Sequence, residues 1–158
     1  MKRAKAYLLF FSVIVILSSI GVAAEKAVRS FSADLTGSNV IPVSKTTARG
    51  EAAFQLKDSG EMSYKLTVTD IQNAAAAHIH EGEKTRNGPP VVLLFTGPKK
   101  SGKFSGLLSE GVITPDKMIG SLRGKPIKAL ADMIVKGDAY VNVHTDKYPD
   151  GEIRGQIK

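Results

Sequence analysis

Met62, Tyr64, Leu66 and Val68 alternate with Ser63, Lys65, Thr67 and Thr69 over eight residues. Side chains in an extended strand point alternately to opposite faces, so this stretch predicts a half-buried β-strand. The same period of two recurs along the chain. Phe31, Ala33 and Leu35 oppose Ser32 and Asp34, and Ala52, Phe54 and Leu56 repeat the pattern before an Asp58-Ser-Gly60 hairpin signal. Ala74 to His80 predicts another strand. An Asn87-Gly-Pro-Pro90 turn then launches Val91-Val-Leu-Leu-Phe95, an apolar run suited to burial on both faces. Lys103 to Leu108 is a weaker strand whose Gly106 marks a bulge or a close approach. Val141 and Val143, then Ile153 and Ile157, return the chain to strands across a Tyr148-Pro-Asp-Gly151 turn.

Two helical pieces interrupt this pattern. Thr114-Pro115-Asp116 reads as an N-cap followed by proline at the first helical position. Pro126 to Lys136 sets Ile127, Leu130 and Ile134 at helical spacing, with Gly137 placed to end the helix. Seven or eight short strands predict an all-β fold, either a β-sandwich or a barrel. The segment from about 109 to 138 becomes a crossover connection with one short helix. No Pro-, Gly- or Ser-rich linker divides the chain.

Residues 1–24 are expected to be a signal peptide. Lys2, Arg3 and Lys5 precede an apolar run from Leu8 to Ile20, and Val22-Ala23-Ala24 supplies the small residues of a cleavage site before Glu25. The run falls short of the roughly 20 residues that span a bilayer, so no stable membrane anchor is expected after cleavage. The expected product is a single domain, 25–158, that is secreted or periplasmic. Loss of the three leader cations lowers the net charge from +7 to +4. The remaining lysines are scattered and not interleaved with aromatic residues, which argues against a nucleic-acid partner. The chain has no cysteine, which excludes thiol nucleophiles, redox pairs and thiolate metal sites.

The three histidines lie in two strand patterns, Ala77-His-Ile-His80 and Tyr140-Val-Asn-Val-His144. His78 and His80 share the face opposite Ala77 and Ile79. His144 shares its face with Asn142, opposite Val141 and Val143. If the apolar residues enter the core and the strands are neighbours, three imidazoles converge. Imidazole suits copper, zinc and nickel, so His78, His80 and His144 are candidate ligands for one Cu or Zn ion, while a structural network of histidine hydrogen bonds is the competing reading. Glu152 and Arg154, two apart in Gly151-Glu-Ile-Arg-Gly-Gln-Ile157, form with Asn142 a candidate binding patch. Equally, Arg154 could pair or stack to fix the last strand. The sequence contains no GxSxG elbow, P-loop or HExxH motif, and no catalytic residue is assigned.

Three blocks, Ala77-His-Ile-His-Glu-Gly82 with Asn87-Gly-Pro89, Ala139-Tyr-Val-Asn-Val-His-Thr145 and Gly151-Glu-Ile-Arg-Gly-Gln-Ile157, stand in order behind Phe31-Ser-Ala-Asp-Leu-Thr-Gly-Ser-Asn39. Together they resemble the CHRD domain, over essentially all of 25–158. One departure is Asn39-Val-Ile-Pro42-Val, where the family usually has an acidic residue and paired prolines. The resemblance implies an extracellular immunoglobulin-like antiparallel β-sandwich and no particular reaction. It implies a binding or structural module whose partner is an extracytoplasmic protein or a surface polymer. The histidine spacing is also similar to the copper ligands of copper–zinc superoxide dismutase. With three histidines the full binuclear site cannot be built, but a mononuclear site with redox or superoxide-related chemistry can.

Overall fold

The computed structural model describes residues 28–158; the expected leader, 1–24, lies outside them. The described chain is all-β with one α-helix. Its strands are β1 (Val28–Thr36), β2 (Arg49–Lys57), β3 (Met62–Glu81), β4 (Pro90–Phe95), β5 (Lys100–Val112), β6 (Ala139–Thr145) and β7 (Ile153–Gln156). Helix α1 (Ile127–Val135) lies in the connection from β5 to β6, preceded by 3-10 turns at Pro115–Lys117 and Gly120–Leu122. Among the described residues no helix is long and apolar enough to cross a membrane.

The two stretches read from sequence as separate strands, Met62–Thr69 and Ala74–His80, are one 20-residue strand. Asp70 and Asn73 between them take positive φ angles of 57° and 53°. Asp and Asn tolerate this left-handed region better than other L-residues, so the strand bends here instead of ending. Its first half pairs with β2, from Met62↔Leu56 to Thr69↔Arg49. Its second half pairs with β6, from Ala74↔Thr145 to Glu81↔Ala139.

This shared strand changes the architecture from the one expected. The pairing does not separate into two stacked sheets. All seven strands belong to one sheet, and the ring β1-β2-β3-β6-β7 closes into a five-stranded barrel, with β4 and β5 added along β3. The closing seam is short. Thr36 pairs with Arg154, and Ser32 and Lys158 exchange backbone bonds of 2.8 and 3.0 Å. Closure removes free strand edges around the ring.

The barrel interior holds the apolar halves of the alternating patterns, including Ala33, Leu35, Phe54, Leu66, Val68, Ile79, Val141, Val143 and Ile153. Val91 and Val92 of β4 are both fully buried, as expected of a run covered on two faces. Helix α1 packs Leu130, Ala131 and Ile134 against the core. It ends in a Schellman motif, in which Gly137 N–H bonds Ile134 O and Asp138 N–H bonds Met133 O.

Candidate metal centre

The β3–β6 register sets the site. His78 lies opposite Asn142, His80 opposite Tyr140 and Ala76 opposite His144. Ala77, Ile79, Val141 and Val143 are fully buried in the core, which turns the alternate residues of both strands to the other face of the sheet. There the three imidazoles meet. Ring centres lie 5.0 Å apart for His78–His144, 5.5 Å for His80–His144 and 5.7 Å for His78–His80. One nitrogen from each ring falls within 4.8 Å of the other two, and His78 Nδ1 stands 3.2 Å from His144 Nε2.

Two of the rings are oriented by backbone carbonyls. His80 Nδ1 is 2.9 Å from Gly88 O, and His144 Nδ1 is 2.8 Å from Pro149 O. A carbonyl oxygen only accepts, so each Nδ1 carries the hydrogen and each Nε2 presents a lone pair. His80 Nε2 is buried and has no hydrogen-bond partner. Burial, reinforced by the charges of His144 and His80, lowers the pKa of His78 to about 4. Burial likewise takes His80 to about 4, against the opposing pull of its bond to Gly88, with the charges of His144 and Arg154 lowering it further. Burial also lowers His144, opposed by its bond to Pro149 and by the charge of Asp150. At neutral pH all three rings are therefore uncharged, the state a metal ion requires; in its absence His78 Nδ1–H donates to the His144 Nε2 lone pair, a bond that a metal ion would replace. A ligating histidine whose second nitrogen donates to a carbonyl is the usual support for such a centre.

Behind the histidines lies a layer of packed rings and cations. The Tyr140 ring stacks on His80 at 5.1 Å and 17°. Its hydroxyl accepts from Gly88 N–H at 3.0 Å and donates to Gly88 O at 3.3 Å, so Tyr140 and His80 hold the same residue. On the far side of Tyr140 the Arg154 guanidinium lies 3.6 Å from the ring centre. Arg154 is only 2% exposed. It donates to Glu83 O at 2.7 Å, Arg86 O at 3.0 Å and Asn87 Oδ1 at 3.1 Å, strapping loop 82–89 over the sheet. Among the described residues no carboxylate pairs with it. Gly88 has no room for a side chain, because a Cβ would sit 1.8 Å from Glu81 O.

The candidate patch divides. Asn142 and Arg154 lie on the histidine side: Asn142 Nδ2 donates to Asp150 O, while its Oδ1 is buried without a partner. Arg154 stacks and bonds carbonyls as described above. Glu152 instead turns its carboxylate to Thr46 and Thr145, each at 2.7 Å. It lines an open polar groove of about 980 Å³ that includes Lys45, Arg49, Asp70 and Tyr148 and none of the histidines. Sequence reasoning gave Tyr140 no role. The signal was its parity, since it precedes Asn142 by two and His144 by four in one alternating strand.

The family model for the CHRD domain matches residues 31–157. The chain is also similar to Chordin from Danio rerio, with 23% identity over 124 residues that cover 78% of this chain. The match spans 12% of that protein's length. No solved structure matches the chain.

Proposed function

This chain belongs to the CHRD domain family, and from that premise we propose that it is an exported binding module whose ligand is a single copper or zinc ion. His78, His80 and His144 are the protein ligands, and the remaining coordination position is open to water or a small ligand. The observation that carries this reading is the buried, unpartnered Nε2 of His80, on a ring that offers a nitrogen within 4.8 Å of one from each of the other two imidazoles. A buried polar atom left without a partner costs about 1–3 kcal/mol, and a metal ion would satisfy it. Three histidines with an open position form a ligand set known for zinc, and imidazole serves copper equally.

Export is supported by the leader-like pattern of residues 1–24, which leaves 25–158 as the working domain. The reading assigns binding and no catalytic residue. Calorimetric titration of the metal-free protein with Cu(II) and Zn(II) tests it. One ion per chain is expected, with loss of binding when His80 is replaced. Binding no tighter than millimolar in the wild type would remove the proposal. Fractionation of the native host tests export, which fails if the protein stays with the cytoplasmic fraction at full length.

A further inference from the structure

Arg154, Tyr140 and His80 form one layered stack: a guanidinium 3.6 Å from the phenol ring centre, and that ring 5.1 Å from the imidazole. All three side chains are buried. The guanidinium makes three hydrogen bonds, two to carbonyl oxygens and one to the Asn87 amide, so its charge is solvated locally but not neutralised. The three candidate ligands bring no negative charge either. Asp150 acts on His144 from outside, but it is exposed to solvent and its field is partly screened, so it offsets the buried guanidinium only in part.

We infer that the buried charge of Arg154, held one ring away from His80, biases the three-histidine centre toward copper in its singly charged state and raises the Cu(II)/Cu(I) reduction potential. This rests on the metal reading given above. Coulomb repulsion scales with the charge of the ion, and it is stronger in a dry interior than in water. A divalent ion therefore meets twice the penalty of a monovalent one from the same guanidinium. Reduction adds one electron to the metal and needs no proton from the ligands, because the Nδ1 hydrogens of His80 and His144 are already committed to carbonyls.

Asn87 allows the charge to be changed without touching a ligand. Its Oδ1 lies 3.1 Å from Arg154 Nη1 and the residue is exposed, so Asn87→Asp places a carboxylate against the guanidinium. The experiment is a spectroelectrochemical titration of the copper-loaded full chain, wild type against Asn87→Asp and Arg154→Lys. The Asp variant is expected to lower the ratio of Cu(I) to Cu(II) affinity about tenfold, equal to about 59 mV for one electron. Arg154→Lys, which keeps the charge, is expected to move the potential less than Asn87→Asp does. A potential unchanged or raised in Asn87→Asp overturns the inference while leaving the metal site standing. Failure of the wild type to bind copper in either state sinks the metal reading itself. Chelator competition on the wild type alone supplies a second check: Cu(I) must bind more tightly than Cu(II), and the reverse order refutes the bias even if a variant does not fold.

Discussion

His78 Nδ1 and His144 Nε2 stand 3.2 Å apart although 66 positions separate them in the chain. Only the long-range pairing of β3 with β6 brings them together, and His80 joins them from the same strand as His78. If the three act as one ligand set, His78→Ala, His80→Ala and His144→Ala should each weaken copper or zinc binding by at least about 100-fold, beyond the 10–100-fold typical of outer partners. Tyr140→Phe keeps the stacked ring and loses only the bonds to Gly88, so it should cost about tenfold. Equal, small effects across all four variants would mean that the rings form a structural network and not a centre.

Arg154 also carries structural weight independent of any metal. Removing it by Arg154→Ala strips hydrogen bonds from Glu83 O, Arg86 O and Asn87 Oδ1 and uncovers the Tyr140 ring. Hydrogen bonds to a charged donor contribute about 1.5–3 kcal/mol each, but residues 83–87 are exposed and water can replace part of this. The expected loss is about 2–4 kcal/mol in urea unfolding. Amide exchange should accelerate in loop 82–89 before it does in β2. Uniform acceleration, or none, would show that the strap is not local.

Much of the site was readable from parity. Ala77, Ile79, Val141 and Val143 are apolar, so their alternates had to face the other way, and that puts His78, His80 and His144 on one side of the sheet once β3 and β6 share it. The register between β3 and β6 was not readable, because it depends on pairing between distant segments. That Arg154 could stack to fix the last strand was readable, but its partner Tyr140 was hidden for the same reason, since the contact needs β7 beside β6. The Asp70-Ile-Gln-Asn73 stretch looked like a break between strands. Its left-handed residues bend β3 without ending it, and that bend lets one sheet close into a ring. Strand count and turn spacing are common to sandwiches and barrels, so they could not separate the two.

Acid should destabilise the metal-free protein through the same histidines. His78 and His80 have folded pKa values of about 4, against about 6.5 in an unfolded chain. Above pH 6.5 both states are neutral and the contribution to stability is complete. As pH falls from about 6.5 toward 4 the unfolded chain takes up protons that the fold refuses, so stability declines, and below about 4 these groups add no further slope. Urea midpoints measured at pH 7, 6 and 5, largely above the carboxylate range, should fall steadily. The decline should be shallower in His80→Asn. A midpoint that stays level over this interval would contradict neutral burial of the pair.

Barrel closure rests on the tight approach of β7 to β1. A Cβ on Gly155 would lie 2.5 Å from Asp34 O and 2.8 Å from its carbonyl carbon, both backbone atoms that cannot rotate away. Gly155→Ala must therefore push β7 from β1, against the Thr36–Arg154 pairing, the Ser32–Lys158 bonds and the Asn39 Nδ2 bond to Arg154 O that hold that seam. A cost of about 2–3 kcal/mol is expected, the range of an overpacked core position. Arg154 precedes Gly155, so displacing β7 should also shift the guanidinium from Tyr140 and weaken metal binding, although no ligand has changed. Stability close to wild type in Gly155→Ala would mean that the seam is open in solution and that the ring is incomplete. Lost stability with unchanged metal affinity would uncouple the closing strand from the histidines.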